Sequence, residues 1–324
     1  MGKASAKRIE WIDIIKGICI LFVMLSHSNP PAVYRHFFTP FFLTMFFFVS
    51  GYTFSTKNSF KEFLTCKIKH LVIPLFALGS IRIIGMSILG LADPLQGFKG
   101  LLLQISCQND EMWFVSCLFT ASMILYALLR FNGKYQNHHK EFLLISEAIL
   151  FIIIGYSLML VFHVRLIWEF EIACIMLLYI VLGYLFKRTN QVSLSKLLSP
   201  VLFLIYASIV FLLPNDVDIH AEVFTNPLLF NVNTLLIILP VIDLAKKLDK
   251  TVLRKPLIFL GQNSLFFFAF SGIVRETFVK ILHVFIVLNP YIESILCTVV
   301  MTIVLILPAS FTRKYIPWIV GASK

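Results

Sequence analysis

Three ionisable residues fall inside the first long apolar stretch of the chain: Asp13, Lys16 and His27. On a helix, Asp13 and Lys16 stand three apart and can form an intrahelical pair. Lys16 and His27 are eleven apart, close to three turns at 3.6 residues per turn. One helix face therefore carries both, separated by a rise of about 16 Å. An imidazole held in this way suits proton transfer near neutral pH, and the ammonium suits an anion. A purely structural account is also open, with Asp13 and Lys16 as interfacial anchors and His27 bonded to backbone at a helix end. Spacing alone does not separate the two.

Further charges lie where a membrane would make them costly. Arg82 falls inside a later apolar run and needs a carboxylate, a carbonyl or an anionic ligand. Glu147, Glu169, Glu171 and Glu293 are available as partners for Arg82, His27 or Arg165. Asp243 reads as an exposed anchor at a helix end. Between the second and third apolar runs, Lys57, Lys61, Lys67, Lys69 and His70 precede Pro74 in what reads as a basic loop. Such a loop is either cytoplasmic positive charge attracted to anionic lipid or a phosphate site built from point charges. Charge alone favours the first.

The elements that must position these residues follow from hydropathy. Of 324 residues, 59% are hydrophobic and 14% charged, against about a quarter charged in soluble domains; mean hydropathy is +0.88. Apolar runs near 11–28, 38–55, 71–91, 112–130, 142–162, 168–186, 199–213, 227–245, 257–274 and 290–312 are long enough to cross a bilayer. They are continuous rather than alternating, which predicts helices and not a barrel. The expected fold is all-α: a polytopic bundle of about ten transmembrane helices forming one domain over 1–324.

Charge sets the orientation. With the N-terminus in the cytoplasm, the inner segments hold 21 Lys and Arg residues, while the outer ones hold only Arg35, Lys99, Arg165, Arg275 and Lys280. That bias predicts cytoplasmic N- and C-termini and accounts for the net charge of +11 without nucleic acid, for which no stripe of bases and aromatics is visible. The first run lacks a small-residue cleavage site and carries Asp13 and Lys16, so it reads as a retained helix and not a signal peptide. The six cysteines (Cys19, Cys66, Cys107, Cys117, Cys174, Cys297) show no CxxC and no metal-ligand spacing. Cys107 and Cys117 could pair on the outer side, though nothing demands it. No repeat emerges at a fixed period.

Several stretches taken in order resemble the acyltransferase-3 family, and within it the fucose 4-O-acetylase-like group of integral membrane acetyltransferases. They are Asp13-Ile-Ile-Lys16-Gly17 followed by His27; Phe46-Phe-Phe-Val-Ser50-Gly51-Tyr52; and Lys67-Ile-Lys-His-Leu71-Val-Ile-Pro74. Trp113-Phe114 and Gly261-Gln-Asn-Ser264-Leu265 add weaker matches, and the resemblance runs over roughly the whole chain. Departures are Lys16, Lys67 and Lys69 where Arg is commoner, Thr44 in place of a Pro before the aromatic run, and Ser271 where many relatives carry His.

The resemblance implies a ten-span protein of the bacterial cytoplasmic membrane. It would move an acetyl group from cytoplasmic acetyl-CoA to a hydroxyl of an extracytoplasmic carbohydrate or glycolipid. Carried over by position, His27 would be the base or transient acetyl carrier, with Asp13 and Lys16 beside it. Lys67 and Lys69 would hold the CoA head, less specifically than Arg would, and Arg82 would meet the oxyanion or a phosphate. The expected partners are membrane lipid, acetyl-CoA and the acceptor, with no metal and no nucleic acid. Oligomeric state is not read from the sequence. The alternatives are a transporter or flippase of a lipid-linked or small polar substrate, and a sensory or binding domain without turnover.

Overall fold

The computed structural model describes residues 9–56, 59–105, 112–134, 137–188 and 197–322. In chain order the helices are α1 (Glu10–His27), α2 (Ala32–Phe42), α3 (Thr44–Tyr52), α4 (Phe60–Lys67) and α5 (Ile73–Ile88), the last two joined through a π turn at Ile68–Val72. Then come α6 (Pro94–Leu103), α7 (Trp113–Phe131), α8 (Asn137–Tyr156), α9 (Phe170–Arg188), α10 (Leu198–Leu212) and α11 (Pro227–Leu248). The chain closes with α12 (Arg254–Gln262), α13 (Ser264–Phe285) and α14 (Pro290–Tyr315). The strands β1 (Val217–Asp218) and β2 (Val223–Phe224) form a short antiparallel hairpin between α10 and α11.

Among the described residues, seven helices are long and apolar enough to cross a membrane, or eight if α12 and α13 are one bent span. The remaining two predicted spans are helical as well: α1 holds Glu10, Asp13 and Lys16 in its 18 residues, and α10 has 15 residues. Ile149, Leu150 and Ile153 of α8, Leu204, Phe211 and Leu212 of α10, and Ile303, Val304 and Leu307 of α14 are exposed. In water such an apolar exterior would aggregate; in hydrocarbon it is the expected outer face. The interior is α1, α3 and α9, with every residue from Glu171 to Val181 buried.

Helix starts follow local chemistry. Asp93, Asn226 and Asn289 accept backbone N–H groups of α6, α11 and α14, and each is followed by proline at the first helical position. Ser59 and Glu62 form a reciprocal capping box at α4. That cap corrects one expectation: the basic stretch from Lys61 to His70 is not a loop but part of a helix running from Phe60 to Ile88, while Lys57 lies outside the described residues. Pro74 cannot donate to the carbonyl of His70, and the helix widens into its π turn just before it.

Two close crossings hold the interior. A Cβ on Gly17 would lie 2.1 Å from the Leu257 carbonyl oxygen, and one on Gly261 would lie 1.9 Å from that of Asp13. Gly51 and Gly183 make the same reciprocal contact between α3 and α9, against Ile180 and Phe48. Without a hydrophobic force between helices in lipid, such backbone approach supplies the packing.

One span is interrupted at a single residue and another is broken. The second divides at Leu43, where the Pro40 carbonyl accepts the hydroxyls of Thr44 at 2.9 Å and of Thr234 at 2.7 Å. The ninth, expected to run unbroken over 257–274, instead bends by 82° at Asn263, and its long limb continues to Phe285. Arg313 Nη1 donates to the Gln262 carbonyl at 2.6 Å, satisfying a group that the bend frees. Broken backbone at membrane depth is tolerated where protein groups or a polar cavity satisfy it.

Candidate active site

A cavity of about 400 Å³ opens at the Glu10 end of α1. Lys16 of α1, His70 of the π turn and Arg313 in the last turn of α14 supply its basic lining; no lining residue is Asp or Glu. Ser50, Thr53, Gln262 and Ser264 add neutral polar groups, and the N-terminus of α13 begins in its wall. A basic lining beside a helix N-terminus favours an anionic ligand. The segment after α14 folds back along the cavity through Val320, Gly321 and Ala322. His70 Nδ1 donates to the Gly321 carbonyl at 2.6 Å. Gly321 has φ +64°, and a Cβ there would meet the His70 carbonyl oxygen at 2.6 Å, so glycine is required.

A second cavity, about 340 Å³, lies at the His27 end. His27, Arg35, Asp218, His220, Arg275 and Glu276 line it together with Ser26, Thr39 and Trp113. His27 Nδ1 stands 3.1 Å from Ser271 Oγ, which is fully buried. Trp113 stacks on His220 with centroids 5.1 Å apart, and Arg275 pairs with Glu276. At the rim, Arg35 and His36 both reach Asp216, at 3.7 and 2.9 Å. The hydrogen bond from His36, aided by the charges of His36 and Arg35 against partial desolvation, holds the exposed Asp216 carboxyl below its ordinary pKa.

Leu43 and Phe268 line both cavities, so a septum of side chains divides them. The Phe268 ring is 6.3 Å from that of His27 and 5.6 Å from that of Phe114, centroid to centroid. Lys16 and His27, placed on one helix face by spacing, thus sit on opposite sides of this septum.

The other expected residues are distributed differently. Asp13 is buried and lines neither cavity; it accepts Gln262 Nε2 at 3.4 Å, behind the wall. Lys67 donates to Ser122 Oγ at 3.1 Å, with its ammonium 5.4 and 5.7 Å from the Phe54 and Phe63 rings. Lys69 is exposed and Arg82 is buried within α5; neither lines either of these two cavities. Because the basic stretch is helical, successive cations point in different directions, and it is His70 that reaches the cavity. Among the candidate carboxylates, Glu147 accepts from Asn132 at 2.7 Å and Glu171 from the Leu166 N–H at 3.0 Å. Glu293 meets His283 at 3.0 Å, and Arg165 pairs with Glu222 at 3.2 Å. Cys107 lies outside the described residues.

Sequence reasoning had counted Arg313 and Arg275 only as charges for orientation, and it passed over Asp218 and His220. Ser271 had been noted only as a departure. The signals existed for Gln262 and Ser264, which belong to a matched stretch.

An all-helical bundle with a lipid-type exterior and two polar cavities divided by Leu43 and Phe268 defines a multi-pass membrane protein. The chain belongs to the acyltransferase-3 family: the family's model, an acyltransferase domain, matches residues 9–311. It is therefore a membrane acyltransferase. No curated protein and no solved structure matches the chain.

Proposed function

We propose that this acyltransferase moves an acetyl group from cytoplasmic acetyl-CoA to a hydroxyl of an extracytoplasmic or lipid-linked carbohydrate, as in the fucose 4-O-acetylase-like group. The observation that carries the reading is the basic, carboxylate-free cavity lying across one septum from His27. Lys16, His70 and Arg313 hold the CoA phosphates, and the pantetheine arm runs toward Phe268. Ten crossings with both termini in the cytoplasm put this cavity on the side where acetyl-CoA is made. The membrane is the cytoplasmic membrane of a bacterium.

In the second cavity, planar polar side chains and Trp113 suit a sugar ring, which offers hydroxyls to the first and C–H faces to the second. With Ser271 Oγ accepting the Nδ1 proton, His27 Nε2 keeps its lone pair. It takes the acceptor hydroxyl proton as that oxygen attacks the thioester carbonyl carbon; the C–S bond breaks, and the leaving thiolate recovers the proton from the imidazolium. Asp13 acts through Gln262 by holding the wall. In this reading Lys67, Lys69 and Arg82 support the donor site from outside the cavity, at most by long-range charge.

The test is transfer of label from acetyl-CoA to membrane glycan, abolished in His27→Ala at normal protein level. A divided pair of cavities also suits a carrier that opens to each side in turn. Substrate movement independent of acetyl-CoA, with no label transferred, would establish that reading instead.

A further inference from the structure

The septum has a consequence for which acyl group can be transferred. We infer that Phe268, backed by Phe114 and Leu43, ends the donor cavity as a wall that admits a short acyl chain and rejects longer ones. The inference rests on the acetyl-CoA reading and adds to it the residue that sets the limit on acyl length.

Phe268 is 5% exposed and Leu43 5%, and each faces both cavities. The flanks of the wall are filled by packed rings, and beyond it lies only the acceptor's own cavity. The Phe114 ring packs at 5.6 Å from that of Phe268, and at 5.4 and 5.3 Å from those of Phe46 and Phe47, of which Phe47 is 1% exposed. Beyond Phe268 on the far side stands His27, its ring 6.3 Å away. A thioester arriving through the basic cavity must bring its carbonyl carbon up to this wall to be reached from the His27 side. Its acyl tail then has the width of the septum to occupy, since passing further would displace the acceptor from the second cavity. A methyl group fits by a small rotation of one ring, whereas each added methylene must displace close-packed aromatic rings. Discrimination of about 10–200-fold per methylene is the usual yield of a tight apolar wall.

The same ring separates the thioester from water on the His27 side. Removing it joins the two cavities, so water can add to the carbonyl carbon as the C–S bond breaks, releasing acetate and CoA thiol.

The experiment uses the full chain in native membranes, with acetyl-, butyryl- and octanoyl-CoA as donors. It reads both acyl label on glycan and free CoA thiol. Wild type should prefer acetyl-CoA over butyryl-CoA by at least about tenfold. Phe268→Ala should reduce that preference about tenfold or more and raise thiol release without glycan label. Phe268→Leu, a milder change in case the alanine variant does not fold, should shift the preference in the same direction by a smaller factor. Equal use of octanoyl- and acetyl-CoA by wild type, or an active Phe268 variant with unchanged preference, overturns the inference and leaves the acyltransferase reading standing. Wild type that transfers no acyl group from any of the three overturns the reading itself.

Discussion

The two cavities are similar in size, about 400 and 340 Å³, and opposite in electrostatic design. At the Glu10 end Lys16, His70 and Arg313 face the cavity with no carboxylate among its lining residues. At the His27 end Arg35 and Arg275 are matched by Asp218 and Glu276, and Arg275 and Glu276 pair directly. A lining that carries cations and no carboxylate favours a ligand that brings its own negative charge. Matched pairs leave little net field and offer donors and acceptors in equal supply, which suits a neutral polyol. One bundle thus presents a basic cavity and a charge-balanced cavity end to end, with the His27 ring beside the septum in the second.

The strongest way to break this contrast is His27→Ala, which should lower acyl transfer by about 10²–10⁴-fold with normal protein level; activity near wild type would remove His27 from the chemistry. Next in size is Gly261→Ala, which places a methyl 1.9 Å from the Asp13 carbonyl oxygen and should sharply reduce folded protein in a detergent melting assay. Gly133→Ala, with nothing within 4 Å, should melt like wild type. Charge can then be tested at each end separately. Lys16→Gln and Arg313→Gln should each raise KM for acetyl-CoA about tenfold, the worth of a charge-assisted hydrogen bond, while Arg35→Gln leaves that KM unchanged. Equal effects at both ends would erase the comparison.

Smaller effects sharpen it. Ser271→Ala should lower kcat about fivefold, the value of one hydrogen bond, with KM for acetyl-CoA unchanged, because Ser271 touches His27 and lines neither cavity. The smallest effect is expected at Lys69, which is exposed: Lys69→Ala should stay within about twofold of wild type in KM. A large rise there would return the phosphate site to the basic stretch.

Much of the bundle was legible because apolar length and helical period are local properties. Each predicted span is occupied by helix, and Lys16 and His27 reach the two cavities that their spacing allowed. Lys67, Lys69 and Arg82, expected at the donor site, line neither of the two cavities for a directional reason. A count of positive charges along the chain carries no information on which face of a helix each occupies, and the π turn before Pro74 shifts that register. The bend at Asn263 was invisible because Phe259 to Phe270 is uniformly apolar on both sides of it apart from Gln262, Asn263 and Ser264.

The sequence by itself determined that the chain is a helical membrane protein of the acyltransferase-3 type with a His and a Lys on one helix face. Those properties depend on residue type and on spacing within single segments. Only the tertiary structure decided that Arg313 and His70 join Lys16, that Ser271 meets His27 from a position 244 residues away, and that Phe268 divides the two sites. These depend on how helices cross. The crossings are set by backbone contacts at Gly17, Gly51, Gly183 and Gly261, whose partners lie far off in the chain.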